Sequence, residues 1–255
     1  MDVRNILVIS INYCGITFYP FNLINIQCIY KIKILVITFM HYSIQNLETI
    51  KEEVKLNCKT ESLPNIIAVS KTFSIDKINP LIEYGHKHFG ENKIQEANSK
   101  WRAIKDKNDE IQLHLIGSLQ TNKVNLAVEI FDYIHSVDSK KLAKKISDSQ
   151  LKKNKSLKIF LQVNIGDENQ KSGINPNDLP ELVSFCKDLR LNVIGLMCLP
   201  PVTENAEIFF QKLYSLNLQY KYNQLSMGMS SDYLKAVKNH STFLRIGSKI
   251  FGNRL

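Results

Sequence analysis

Two stretches far apart in the chain carry residue types that could hold one ligand. The first is Ile66-Ile67-Ala68-Val69-Ser70-Lys71-Thr72, a short apolar run ending in a lysine. The second is Leu225-Ser226-Met227-Gly228-Met229-Ser230-Ser231-Asp232, followed by Arg245-Ile246-Gly247-Ser248-Lys249-Ile250-Phe251-Gly252. A lysine at a strand end can form an imine with an aldehyde, but only as the neutral amine. Moving it from a pKa of about 10.4 to about 7 takes roughly 4 to 5 kcal/mol, from desolvation or from a neighbouring cation such as Arg245. Ser230 and Ser231 stand where a strand turns into a helix. There serine is an ordinary cap, and free amides also attract an anion. Gly247 lets backbone approach a phosphate closely, and Ser248 adds a hydroxyl. Arg245 has three open uses: pairing with a phosphate, facing a ring nitrogen, or holding a structural carboxylate. A ligand with an aldehyde and a phosphate, as in pyridoxal 5′-phosphate, would join the two stretches.

Other polar residues point elsewhere. His114 lies inside an apolar run and His135 near the end of another; both read as packed or hydrogen-bonded histidines. No histidine pair or carboxylate–histidine cluster has metal-ligand spacing, so no metal is expected. Nucleophile-elbow, Walker and dinucleotide-binding glycine patterns are absent. Trp101, the one tryptophan, is expected in the core. The five cysteines (Cys14, Cys28, Cys58, Cys186 and Cys198) are odd in number and lack C-x-x-C spacing. They read as small buried hydrophobes in a reducing cytoplasm rather than as a disulfide framework.

The elements that must position these residues alternate. Helical periodicity spans 43–57, then 75–84, 93–104, 121–130, 139–151, 177–189 and 204–214, with a last helix from Ser231. Between them lie strands at 66–70, 88–90, 112–116, 133–137, 157–164, 192–197, 224–227 and 243–246. Eight such repeats predict an α/β fold with a parallel sheet, namely a closed single-domain (β/α)8 TIM-type barrel. A doubly wound open sheet is the alternative. In either fold, chemistry collects at the C-terminal strand ends. Lys71, Glu91-Asn92, Gly117, Asn164, Met197, Ser230 and Arg245 to Ser248 all fall there.

The chain has 255 residues and a formal charge of +9. Its lysines are scattered, and no arginine-rich arm or aromatic RNA-binding signature appears, so a nucleic-acid partner is not expected. Residues 1–39 read as an extra N-terminal segment. Asn12, Pro20, Asn22 and Asn25 interrupt its apolar run, which argues against a membrane span. Met40 is the expected start, which divides the chain into an atypical extension at 1–39 and a barrel at 40–255.

The ordered motifs resemble a specific family. These are Ala68-Val69-Ser70-Lys71-Thr72, Phe89-Gly90-Glu91-Asn92 with Gln95-Glu96, His114 through Lys123, Val163-Asn164 with Lys171-Ser172-Gly173, Leu225 through Asp232, and Arg245-Ile246-Gly247 with Phe251-Gly252. Together they closely resemble the pyridoxal phosphate homeostasis proteins, single-domain relatives of the alanine racemase barrel. The resemblance covers about residues 43–255. It implies pyridoxal phosphate as cofactor, with Lys71 forming the Schiff base. It also implies that Ser230, Gly247 and Ser248 hold the phosphate, that Arg245 faces the pyridine nitrogen, and that Asn92 lies near the ring. The implied role is a cytoplasmic, monomeric carrier that buffers the cofactor or delivers it to apo-enzymes, without catalytic turnover. An amino-acid racemase-like enzyme is the alternative. Two stretches depart from the family: Asn239-His240 stands where a glycine-type pair is expected, and Cys198-Leu199-Pro200-Pro201 is unusual. Both are expected to stand clear of the ligand contacts.

Overall fold

The computed structural model describes residues 8–12, 15–19, 40–60, 62–168, 172–201 and 205–252. Most of 1–39, and with it the reading of Met40 as the start, lies outside the described residues, as do Lys171 and Glu204. Strands β1 (Val8–Asn12) and β2 (Gly15–Tyr19) pair antiparallel in a sheet of their own. Helices and strands then alternate. The first half holds α1 (Tyr42–Asn57), β3 (Asn65–Val69), α2 (Ile75–Glu83), β4 (His88–Glu91), α3 (Ile94–Lys105), β5 (Gln112–Leu115), α4 (Val124–Ile130), β6 (Tyr133–Val137) and α5 (Lys140–Lys153). The second holds β7 (Lys158–Gln162), α6 (Leu179–Asp188), β8 (Val193–Met197), α7 (Ala206–Gln219), β9 (Gln224–Met229), α8 (Tyr233–Lys238), β10 (Phe243–Ile246) and α9 (Ser248–Phe251).

Strands β3 to β10 close into a barrel of eight parallel strands. Closure is made by β10 against β3, with Arg245 opposite Ile67 and Ile246 opposite Ala68. The open doubly wound alternative is thereby excluded. Side chains alternate along each strand. On β3, Ile66 and Ala68 face the helices while Ile67 and Val69 point into the barrel. Burial on both faces explains why these strands read as nearly continuous apolar runs. The interior core is small: Ile67, Val69, Tyr133, Phe160, Met197 and Phe243. Most apolar burial lies in the outer shell between strands and helices, where Trp101 packs on Phe89 with ring centroids 4.8 Å apart.

Several boundaries differ from the sequence pattern for identifiable reasons. A 3-10 turn, Thr121–Lys123, precedes α4, so the helix proper begins at Val124. Helix α7 runs five residues past Tyr214 because Asn217 is buried and tied at both ends. Its Oδ1 accepts from Leu196 N–H and its Nδ2 donates to Tyr222 C=O. Strand β9 extends to Met229, which pairs with Arg245 and donates its N–H to Asp232 Oδ1. Gly195 sits where β8 presses on β9: a Cβ there would come within 1.8 Å of Gln224 C=O. Among the described cysteines, Cys186 and Cys198 are buried as expected. Cys58 is only half-buried, with its Sγ 3.2 Å from Thr60 Oγ1.

Candidate functional site at the barrel mouth

A cavity of about 730 Å³ opens at the C-terminal ends of β3, β4, β9 and β10. That is ordinary for a small-molecule site. Lys71, Asn92, Ser230, Arg245, Gly247 and Ser248, the six residues singled out from sequence, all line it. Val69, Ile116, Leu199 and Met229 add apolar wall. Of the other strand-end residues named above, Glu91, Gly117, Asn164 and Met197 are not part of the lining. Asn164 instead staples its own loop, exchanging hydrogen bonds with the Glu168 backbone.

Lys71 sits on a rigid mount. On its N-terminal side, Ser70 N–H donates to Gly90 C=O and Ser70 C=O accepts from Lys100 Nζ at 3.0 Å. On its C-terminal side, Thr72 N–H donates to Glu96 Oε1 at 2.6 Å, and Thr72 is held at φ 68°. That left-handed conformation is costly for a β-branched residue and persists only where the surroundings enforce it. Lys100 Nζ also bonds Glu91 Oε1 (2.9 Å) and Glu96 Oε1 (3.0 Å). Glu91, fully buried, accepts in addition from Ser70 Oγ (2.7 Å) and Trp101 Nε1 (2.9 Å). Partial burial pushes the Glu96 pKa upward, but the Thr72 N–H bond and the Lys100 ammonium outweigh it and leave the carboxyl below its usual range. The cluster of Glu91, Glu96 and Lys100 thus clamps the peptide groups on both sides of Lys71. The pattern of Glu96 and Lys100, four apart on one helix face, hinted at their mutual pairing but not at this clamp.

At the opposite wall, Ser230 Oγ accepts from Gly247 N–H at 3.3 Å and lies 3.5 Å from Lys249 N. A hydroxyl here sits among main-chain donors. A Cβ on Gly247 would come within 3.3 Å of Val69 C=O, so a side chain here would push this segment a few tenths of an ångström away from β3. Arg245 is 4% exposed. Its Nη1 donates to Ser226 Oγ at 2.6 Å and its Nη2 to Cys198 C=O at 2.9 Å. Of the three uses left open from sequence, the structural carboxylate is not the one observed. Burial pulls its pKa below that of an ordinary guanidinium.

The Cys198–Pro201 stretch does not stand clear of the site. Leu199 lines the cavity and the Cys198 carbonyl anchors Arg245, because β8 ends beside β9 at the mouth. The other departure has a backbone explanation. His240 adopts φ 66°, where glycine is easiest, and stacks on Tyr214 with centroids 4.3 Å apart. His114 and His135 are fully buried and hydrogen-bonded, as expected, and Trp101 is both a core residue and a donor to Glu91. Among the described residues no group of histidine, cysteine and carboxylate side chains could hold a metal ion.

The chain matches the family model for the alanine racemase N-terminal domain over residues 45–254. A pyridoxal phosphate homeostasis protein of Aquifex aeolicus is 37% identical over 218 residues, covering 82% of this chain and 95% of that protein. One from Pasteurella multocida is 36% identical, covering 82% and 94%. The chain belongs to the pyridoxal phosphate homeostasis protein family. Among solved structures, PipY of Synechococcus elongatus, determined with pyridoxal phosphate bound, superposes with a TM-score of 0.74 at 30% identity, covering 83% of this chain and all of PipY. An alanine racemase of Clostridium difficile shares the fold with a TM-score of 0.64 at 12% identity; this chain covers 57% of it. The homeostasis-protein relatives are thus matched along nearly their whole length, whereas the racemase has a large part with no counterpart here.

Proposed function

We propose that this chain binds pyridoxal phosphate covalently and reversibly through Lys71, buffering the cofactor or handing it to apo-enzymes, without turnover of its own. The observation that carries the reading is the donor set of the cavity. Among the described residues its lining contains two cationic side chains, three serine hydroxyls and an amide side chain, and no carboxylate. Such a set fits an anionic ligand that carries an electrophile. When bound, pyridoxal phosphate supplies an aldehyde, a phosphate and a pyridine ring that can act as an electron sink.

Lys71 provides the amine, and the clamp of Glu91, Glu96 and Lys100 holds its backbone in register with the cavity. Ser230, Ser248 and the Gly247 main chain hold the phosphate, Asn92 flanks the ring, and the apolar wall of Val69, Ile116, Leu199 and Met229 limits water. Arg245 faces the ring nitrogen. A guanidinium only donates, and its charge disfavours a proton on the nitrogen opposite it. The electron sink is thereby weakened. Besides Lys71, no lining residue takes up a proton at neutral pH, so a second base for racemisation is lacking among the described residues. The proposal includes a cytoplasmic monomer. No described helix is long and apolar enough to cross a membrane.

Borohydride treatment of the loaded protein should fix the label on Lys71, and Lys71→Ala should abolish the adduct. Recovery of the label on another lysine would refute the assignment. Turnover of D- or L-amino acids on the order of 1 s⁻¹ or faster would overturn the carrier reading in favour of a racemase-like enzyme.

A further inference from the structure

Behind Arg245 the barrel interior holds a row of polar side chains that takes no part in lining the cavity. Arg245 Nη1 donates to Ser226 Oγ, which lies 2.8 Å from His135 Nδ1. His135 Nε2 lies 2.9 Å from His114 Nδ1, and His114 Nε2 lies 2.9 Å from His88 Nδ1. The row crosses the barrel from β10 through β9, β6 and β5 to β4. Ser226, His135 and His114 are completely buried, and His88 is half-buried at the far end.

The hydrogen positions follow from the arginine. A guanidinium has no acceptor, so Ser226 Oγ must accept from it. The single serine hydrogen then goes to His135 Nδ1. That nitrogen is an acceptor, so His135 carries its hydrogen on Nε2 and gives it to His114 Nδ1. By the same step His114 Nε2 donates to His88 Nδ1, and His88 carries its hydrogen on Nε2. The reversed order would leave the buried serine hydrogen without an acceptor, a cost of about 1–3 kcal/mol. Each group in this order turns its lone pair toward Arg245. Among the described residues the guanidinium has bonds to Ser226 Oγ and the Cys198 carbonyl and to no carboxylate, Asp232 acting on it only through space. An unpaired buried cation is strongly disfavoured, and aligned dipoles of neutral groups offset part of that penalty. Burial keeps His114 and His135 well below the ordinary histidine pKa and takes His88 to about 4. The groups facing or coupled to His88 are Lys87, Lys158, Asp132, His86, Tyr133, His114, His135 and Phe243.

We propose that Ser226, His135, His114 and His88 are positioning residues for Arg245. They form one hydrogen-bond chain of fixed polarity, with all three imidazoles neutral and protonated at Nε2. The chain stabilises the buried guanidinium in place of a carboxylate and fixes the donor it presents to the cavity. Only that last clause rests on the cofactor reading above.

Nitrogen NMR of protein labelled with [¹⁵N]histidine and [¹⁵N]arginine tests the chain, in the apo-protein and after loading with pyridoxal phosphate. At neutral pH the three imidazoles should show protonated Nε2 and unprotonated Nδ1. Ser226→Ala should shift His135 Nδ1 toward its unbonded value and move the Arg245 Nη signals, and Ser226→Thr should restore both. A serine that merely fills space would lower the melting temperature and leave those signals in place. If Ser226→Ala does not fold, His88→Phe, at the half-buried end, should still move the His114 Nε2 signal. Protonated Nδ1 on His114 or His135, a doubly protonated ring, or unmoved His135 and Arg245 signals in Ser226→Ala would overturn the proposal. Since the apo-protein carries the test, absence of the Lys71 adduct would refute the proposed function and leave the chain standing. The converse result would do the opposite.

Discussion

Lowering the pH from about 7.5 to about 5.5 should weaken this fold through histidines that it holds neutral. His86 and His88 are depressed to about 4, chiefly by burial; His114 and His135 are depressed well below 6.5 for the same reason. The unfolded chain titrates these rings near the ordinary value of about 6.5. A depressed histidine binds fewer protons folded than unfolded. Its contribution is therefore complete above about pH 6.5 and is lost as pH falls toward the folded pKa. The loss at pH 5.5 hardly depends on how deep the depression goes. One unit below the unfolded pKa, each ring that stays neutral costs about 1.4 kcal/mol. Four independent rings would total roughly 5 to 6 kcal/mol, and solvent screening of the half-buried His86 and His88 reduces this to about 3 to 5 kcal/mol. Glu96 and Glu129 are held below their usual range, so they lose stabilisation only at lower pH. Asp138 is raised by burial and has the opposite sign, favouring the fold as pH falls. Urea denaturation at both pH values, followed by fluorescence of the buried Trp101, measures the difference. Equal stability at the two pH values, or a gain at the lower one, would refute the view that these rings are locked in the neutral form.

Gly195→Ala should be among the most damaging small substitutions. The new Cβ would meet main-chain oxygen at 1.8 Å, and neither strand can yield without opening the barrel. A loss of about 3 kcal/mol or more, seen as a lower urea midpoint or insoluble expression, is expected. Glu96→Ala removes the acceptor of Thr72 N–H and one carboxylate of Lys100. Covalent capture of pyridoxal phosphate, followed by stopped-flow absorbance, should slow several-fold, with about 1–3 kcal/mol lost in stability. Unchanged capture would show that the turn holds Lys71 without this carboxylate.

The parallel α/β sheet was legible because eight apolar runs alternate with amphipathic segments; its closure was not settled by pattern, because a doubly wound open sheet also buries both faces of its strands, and it is the pairing of β10 with β3 that decides. The six cavity residues follow strand ends, but so do Gly117, Asn164 and Met197, which do not line the cavity; the resemblance to the family is what separated the two sets. The histidine row was not legible. His88, His114 and Ser226 look like ordinary strand residues, and they meet only because β4, β5, β6 and β9 turn the same alternate side chains inward across a closed interior. Glu91 was noted as a strand-end residue, yet it faces outward beneath Trp101 and acts on Lys71 from behind. The inward or outward phase of such a short strand is not fixed by four residues with few apolar side chains. Cys198 bonds through its carbonyl, which no residue type announces.

Closure of the barrel by β10 against β3 brings the first and last strands of the sheet together at the mouth. The amine of one end and the anion cradle of the other are separated by about the whole length of the domain in sequence. No fragment that stops short of β10 contains both halves. On the proposed assignment of Lys71 and the cradle of Ser230, Gly247 and Ser248, a nascent polypeptide is unable to capture the vitamin-derived aldehyde until β10 has left the ribosome and docked. The same assignment predicts that premature stop codons removing even this last unit release a product incapable of retaining the ligand, however well its earlier repeats had assembled.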